Sequence, residues 1–313
     1  MDALKMVILD ELTLGEKPGI EKLEEFGTLT RYSTTSKEER IKHIGDHQVI
    51  ITNKVIIDKE IITQCNNIKL ICVAATGTNN IDSEFAKQKN IEVKNVTGYS
   101  TNSVAQSVFS MLFHLLHQTC YYDNYVKRGH YAQSPIFTHL AREFWELKDK
   151  IFGIIGLGTI GKAVGKLAES FGCNVVYHST SGKNTSNAYQ HLSLDELLTT
   201  SDVISIHCPL NENTKDLLPL PKLKLIKPGA FLINTGRGGI VNEDDLALFI
   251  NEGIPGGVAL DVLEHEPILP NHNLLKVNYP ERLLITPHIA WTSKEAKEKL
   301  VNGIYNNIKE WLS

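Results

Sequence analysis

The 313-residue chain has few cysteines, and none of the groupings that would give them a metal-binding or cross-linking role. Cys65, Cys72, Cys120, Cys173 and Cys208 stand far apart, form no C-x-x-C pair and are odd in number. This excludes a zinc ribbon and a fully paired disulfide framework, and it fits a reducing, cytoplasmic interior. Long runs of like charge are also missing. No same-sign run exceeds three residues, and 32 basic against 36 acidic side chains leave a net charge of −4. That excludes the basic footprint of a nucleic-acid binder and a polybasic membrane patch. Nor is there an apolar run long enough to cross a bilayer. The most hydrophobic stretch, SVAQSVFSMLFHLLHQT at 103–119, carries Gln106, His114 and His117 and falls short of the roughly 20 apolar residues a span needs. It is expected to be a buried helix opened by a Ser103-x-x-Gln106 capping box. The first residues, with Asp2 and Asp10 around a short apolar stretch, read as a strand rather than a signal peptide.

What is present is an alternation of short β-rich runs with helical stretches. In the first hundred residues it reads KMVILD, LTRYS, HQVIIT, IKLICVAAT and IEVKNV, separated by segments such as KEIITQC and IDSEFAKQKN. From Ile151 the rhythm starts afresh with IFGIIG, NVVYHS, DVISIHC, AFLINTG, GVALDV and RLLITP. Such alternation means βα units on parallel sheets, so two α/β domains are expected. The tail 293–313 spaces Ala296, Leu300, Ile304, Ile308 and Leu312 four apart. It reads as one amphipathic helix that returns to pack on the first domain. The aromatic-rich segment Cys120–Lys150 belongs to neither sheet; it is either surface padding or, as its aromatics favour, a subunit interface.

Gly156-Leu157-Gly158-Thr159-Ile160-Gly161 follows an apolar strand and opens a helix, the context in which G-x-G-x-x-G binds a dinucleotide. Gly156 permits the tight turn, Gly158 admits a pyrophosphate against the backbone, and Gly161 allows close helix–strand packing. The helix that Thr159 and Ile160 open supplies N–H groups and a favourable dipole. The next strand runs into Ser179-Thr180-Ser181-Gly182-Lys183, where an NAD-binding unit usually places an Asp or Glu on the adenine ribose. Without that carboxylate a 2′-phosphate is not repelled, and three hydroxyls with the Lys183 ammonium supply donors. NADP is therefore expected to be accepted at least as well as NAD, although no arginine stands in the turn.

Arg237 sits among Gly236, Gly238 and Gly239 directly after a strand, at the strand's C-terminal end, where open α/β folds bind ligands. Its fork can hold a carboxylate through two parallel hydrogen bonds. Asp261, Glu264, His265 and Glu266 follow another strand, and His288 the last one. A histidine near neutral pKa can give a proton to a carbonyl oxygen during reduction, and a neighbouring carboxylate orients its ring. Glu266 and Glu264 are both candidates for that carboxylate. His265 is expected to face solvent. His114 and His117 lack Cys, Asp or Glu at ligand spacing, so no metal site is expected.

NVTGYSTNSVAQ, GIIGLGTIGKAVG, SIHCPLNENTK, INTGRGGIVNEDDL, ALDVLEHEP and TPHIAW together resemble the D-isomer-specific 2-hydroxyacid dehydrogenase family, and within it the bacterial glycerate dehydrogenase, hydroxypyruvate reductase and glyoxylate reductase branch. The resemblance covers nearly the whole chain. It implies two Rossmann-like domains with parallel sheets and a cleft between them. Residues 1–98 plus 289–313 would form a flavodoxin-like substrate-binding domain, and residues 99–288 the dinucleotide-binding domain. It also implies a homodimer built through the nucleotide domains. Arg237 would bind the substrate's carboxylate and carbonyl, Glu266 would pair with His288, and His288 would be the acid/base. Asp261 would face the nicotinamide side, Cys208 and Pro209 the adenine side, with Thr214, Thr235 and Gly236 as further cofactor contacts. The loop VAATGTNNID resembles the family's carboxylate-binding loop, so backbone N–H groups of Thr76 and Gly77 should meet the substrate. Asn53 and Lys54 are expected at the cleft, where Lys54 either adds charge for the carboxylate or is a solvated loop lysine. The implied activity is hydride transfer between a nicotinamide cofactor and a small D-2-hydroxy acid, with hydroxypyruvate or glyoxylate as the oxidised partner. The alternatives are a D-lactate dehydrogenase-like enzyme and, from another class, a non-catalytic nucleotide sensor of the same fold, which turnover separates.

Overall fold

The computed structural model describes residues 4–15 and 19–313, so Asp2 lies outside the described residues. The chain divides into two compact units, Met1–Ser100 with Trp291–Ser313, and Thr101–Ala290.

The first unit carries strands β1 (Leu4–Ile8), β2 (Gly27–Arg31), β3 (Val49–Thr52), β4 (Leu70–Val73) and β5 (Glu92–Asn95), all parallel, in the order β2-β1-β3-β4-β5. That is the doubly wound order of flavodoxin-like sheets. Its central strands, VIIT and LICV, are buried at every position because both faces are covered. The helices are α1 (Arg40–Ile44), α2 (Lys59–Gln64) and α3 (Ser83–Gln88). Asp58 and Asp82 cap the latter two by accepting the N–H of Ile61 and Phe85. Residues 20–26 form a 3-10 helix. The terminal helix Lys294–Leu312 belongs to this unit, and its Leu300, Val301, Ile304 and Ile308 are buried with Met6, Ile8 and Leu70.

The second unit opens with α4 (Thr101–His117) and α5 (Thr119–Lys127). Its strands are β6 (Ile151–Ile155), β7 (Asn174–His178), β8 (Gln190–His191), β9 (Val203–Ile206), β10 (Phe231–Asn234), β11 (Gly257–Leu260) and β12 (Leu283–Ile285). They form one parallel sheet in the order β12-β11-β10-β9-β6-β7-β8. The order reverses between β6 and β9, which is the topological switch point of a Rossmann sheet. Helices α6 (Thr159–Ser170), α7 (Leu194–Thr200), α8 (Leu220–Leu223) and α9 (Glu243–Asn251) complete the unit. Val108, Phe109 and Leu112 of α4 pack with Phe152 and Ile154 over one face of the sheet, while Leu197, Leu223 and Phe249 cover the other.

The capping box expected at Ser103 is not formed. The helix already begins at Thr101, and the Ser103 hydroxyl donates instead to the carbonyl of Ala290 at 2.6 Å. Ser103 is the third residue of the helix rather than the residue before it, so it does not stand at the N-cap position that a capping box needs. The two-residue strand β8 was not legible either, being too short for any periodicity.

Candidate active site

His288 stands in the loop after β12 with φ at +55°, a left-handed conformation rare for a residue with a side chain. Asp261, directly after β11, holds that conformation. Its carboxylate accepts from the Thr286 hydroxyl at 2.6 Å and from the N–H groups of Ile289 and Ala290, each at 2.9 Å. Burial pushes the Asp261 carboxyl above its ordinary value, the bonds from Thr286, Ala290 and Ile289 opposing it. A strained backbone braced on both sides by one buried carboxylate is what a positioned functional group requires. Asp261 was expected to face the nicotinamide; the contacts it makes here are with the turn that carries His288.

The ring of His288 has its Nδ1 2.7 Å from Oε2 of Glu266. Glu266 Oε1 accepts the N–H of Leu263 at 3.0 Å, so its carboxylate is tied to its own loop as well as to the histidine. The histidine's partner is therefore Glu266, and Glu264 is engaged elsewhere through its backbone. His265 is exposed. With Nδ1 directed at a carboxylate, Nε2 is the nitrogen left to exchange a proton.

Arg237 follows β10. Asn234, buried at the strand's end, staples the turn: its side-chain oxygen accepts from the Gly236 N–H at 3.0 Å and its amide donates to the Arg237 carbonyl at 2.9 Å. One guanidinium nitrogen donates to the Gly236 carbonyl at 2.8 Å, which leaves the other N–H donors of the fork. Asn234 was missed in the sequence, although an Asn at a strand end before Thr-Gly is an Asx-turn signal.

The turn after β6 fits a dinucleotide. Gly156 has φ +96°, and a Cβ there would lie 2.5 Å from the Cys208 nitrogen. At Gly161 a Cβ would lie 2.3 Å from the Gly156 carbonyl oxygen, while at Gly158 it would meet nothing within 4 Å. The two outer glycines are thus required by packing, and the middle one leaves open room against the backbone. Helix α6 begins at Thr159 with no side-chain cap on its N-terminus, so its first N–H groups, including those of Ile160 and Gly161, are donors for an anion. Ser179 Oγ and Thr235 Oγ1, just past β7 and β10, are buried polar atoms with no hydrogen-bond partner among the described residues. Buried hydroxyls without partners cost about 1–3 kcal/mol, and both fit a site that a polar cofactor completes.

The other expected cofactor contacts are placed as follows. Cys208 is buried across from the Gly156 turn, and burial pushes its thiol up to about 11, so it is no thiolate nucleophile. The Thr214 hydroxyl donates to the Pro209 carbonyl at 2.7 Å and accepts from the Asn211 N–H at 2.8 Å, holding the 209–214 turn closed. Gly236 lies in the Asn234 staple. Thr180 is half-buried, while Ser181 and Lys183 are exposed, with Ser181 Oγ accepting from the Lys183 N–H at 3.3 Å. His207, not anticipated, has Nδ1 buried without a partner and Nε2 2.8 Å from Ser205 Oγ. Burial lowers its pKa to about 3, which keeps it neutral.

In the first unit, Asp10 accepts the backbone N–H groups of Asn53, Lys54 and Val55 at the end of β3, the Lys54 bond being 2.6 Å. Asn53 is buried and Lys54 exposed. Thr76 and Gly77 follow β4, where Asn95 donates to the Thr76 carbonyl at 2.5 Å.

The family model of the D-isomer specific 2-hydroxyacid dehydrogenase NAD binding domain matches residues 109–290. A hydroxypyruvate reductase of Blautia hydrogenotrophica is 35% identical over 99% of this chain and 97% of its own. Among solved structures, an acyclic imino acid reductase in complex with NADPH and D-Arg superposes with a TM-score of 0.88 at 29% identity, over 99% of this chain and 97% of that one. D-lactate dehydrogenase of Aquifex aeolicus, complexed with NAD and lactic acid, gives 0.86 at 25% identity, over 98% and 95%. The chain belongs to the D-isomer specific 2-hydroxyacid dehydrogenase family. It is accordingly an oxidoreductase that acts on CH–OH donors with a nicotinamide cofactor.

Proposed function

We propose that the protein reduces a small 2-oxo acid, hydroxypyruvate or glyoxylate, to the D-2-hydroxy acid. Arg237 binds the carboxylate and polarises the carbonyl, and His288, oriented by Glu266, gives the proton. The observation that supports this most is the 2.7 Å contact of His288 Nδ1 with Glu266 Oε2, which presents Nε2 as the exchangeable donor. Bound at the Gly156 turn, the nicotinamide cofactor supplies the hydride. As the carbonyl becomes a hydroxyl, His288 releases its Nε2 proton to the oxygen, and Glu266 accepts the remaining Nδ1–H throughout. In the oxidative direction His288 Nε2 takes the proton back. Arg237 serves both directions, because its fork binds the carboxylate that substrate and product share. Asn53, Lys54 and the backbone N–H groups of Thr76 and Gly77 are proposed as further substrate contacts, on family pattern.

The cofactor preference proposed is NADP at least equal to NAD. Ser179, Thr180, Ser181 and Lys183 offer hydroxyls and an ammonium, and no carboxylate occupies 179–183. The chain is also proposed to form a homodimer. Ile136, Phe137 and Leu140 in the segment after α5 are 57%, 89% and 77% exposed, an apolar surface of the kind subunit contacts cover. No helix among the described residues is long and apolar enough to cross a membrane, and a cytoplasmic location is proposed from the unpaired cysteines.

Initial rates on glyoxylate, hydroxypyruvate, pyruvate and phenylpyruvate, each with NADH and NADPH, test the reading. A higher specificity constant for glyoxylate or hydroxypyruvate than for phenylpyruvate is expected. The reverse order would overturn the substrate class, and nucleotide binding without turnover on any of the four would favour a sensor.

A further inference from the structure

The acid–base pair rests on a second carboxylate–histidine pair that takes no part in the chemistry. Glu243, the first residue of α9, is 7% exposed. Its Oε1 accepts the backbone N–H of Glu264 at 2.6 Å, and its Oε2 lies 2.9 Å from His272 Nε2. His272 Nδ1 accepts the N–H of Leu274 at 3.3 Å, which assigns the ring proton to Nε2, facing Glu243. The Leu263–Glu264 peptide held in this way is also pressed by Gly238, the residue after Arg237. A Cβ at Gly238 would lie 2.0 Å from the Leu263 carbonyl carbon and 2.3 Å from the Glu264 nitrogen. The same loop then turns so that Leu263 N–H meets Glu266 Oε1 at 3.0 Å. The Arg237 loop, the Glu264 peptide and the Glu266 carboxylate therefore form one continuous assembly, closed from behind by Glu243.

We propose that Glu243, backed by His272, is a positioning residue for catalysis: it holds the Leu263–Glu264 peptide against Gly238 and so keeps Glu266 on His288 and in fixed register with Arg237. This rests on Glu266 and His288 acting as proposed above. A solvent-exposed acid in a helix's first turn serves the helix dipole alone. Glu243 is instead buried with both oxygens engaged outside its own helix, and an acceptor placed there at the cost of desolvation has structural work in the loop it binds. Burial holds its carboxyl above the ordinary value, against the bonds it accepts from the Glu264 N–H and from His272.

The test is a double-mutant cycle on turnover, with cofactor dissociation constants measured alongside. Glu243→Ala should lower kcat for 2-oxo acid reduction by about 10- to 100-fold, the size of effect that misplacing a catalytic group by about 1 Å produces. Binding of NADPH and NADH should be unchanged. Glu243→Gln keeps an oxygen for the Glu264 N–H but turns an NH2 toward the His272 N–H, so it should recover only part of the loss. In a Glu266→Gln background, Glu243→Ala should cost little more, because it acts through a group already disabled. His272→Ala, which leaves Glu243 present but unsupported, should show the same pattern in smaller degree and serves if Glu243→Ala does not fold. Losses that multiply in the Glu266→Gln background, or equal defects in Glu243→Gln and Glu243→Ala, would overturn the inference. A fully active Glu266→Gln single variant would instead overturn the reading of Glu266, and this inference with it.

Discussion

Asp261 holds His288 by the main chain rather than by the ring: the Asp261 carboxylate accepts the N–H groups of the two residues that follow His288, at 2.9 Å each. The histidine is thereby fixed in a left-handed conformation, φ +55°, from which its Nδ1 meets Glu266 at 2.7 Å. Two carboxylates thus divide the work, one setting the main chain and the other the ring.

Glu266→Gln should keep the fold but, with its one oxygen held by the Leu263 N–H, present an NH2 to His288 Nδ1 in place of an acceptor. The ring then loses its fixed orientation, and kcat should fall by about 10²-fold while cofactor binding stays as it is. Steady-state rates paired with fluorescence titration of the reduced cofactor separate the two effects. An equal loss in cofactor affinity would show that Glu266 supports the whole unit rather than the histidine.

Arg237→Lys preserves the charge and removes the planar fork. The substrate KM should rise and kcat fall together, because a single ammonium cannot bind the carboxylate in two places and polarise the carbonyl at once. Full kinetics on hydroxypyruvate check this. Unaltered constants would move the carboxylate site away from Arg237, with Lys54 the next residue to replace.

Much of this arrangement was readable before the fold was known. The glycines at 156, 158 and 161 carry their packing reasons in their spacing, and Arg237 and His288 each follow a strand that the β-rich runs announce. The choice between Glu264 and Glu266 was not readable. Alternation along a strand would have put both on one side, but β11 ends at Leu260 and 263–266 is a turn that its own hydrogen bonds shape. The bracing of His288 by Asp261 and of Glu264 by Glu243 spans 21 to 29 residues, a separation at which sequence carries no geometric signal. Ser103 misled for the same reason, its bond going to Ala290, 187 residues away.

Ser179→Asp should shift the ratio of specificity constants toward NADH by restoring a carboxylate that repels a 2′-phosphate. Lys183→Ala should weaken NADPH more than NADH, and the difference should widen at low ionic strength, where an exposed ammonium is least screened. Rates with both cofactors at two salt concentrations check this. A large NADH preference in the unmodified protein would refute the proposed relaxation of the ribose pocket.

Phe137→Asp and Leu140→Asp place charges on the most exposed apolar side chains of the segment after α5. Sedimentation should find the unmodified protein as a dimer and the double variant as a monomer, since a buried unpaired carboxylate opposes association. A variant that remains dimeric would place the interface elsewhere.

The central claim is that His288 is the proton donor to a small 2-oxo acid, and His288→Ala tests it most directly. Turnover of glyoxylate and hydroxypyruvate should drop by about 10²–10⁴-fold, the contribution of general acid catalysis, with dissociation constants for NADPH and NADH unchanged. Near-normal turnover in that variant, with either substrate, would contradict the account.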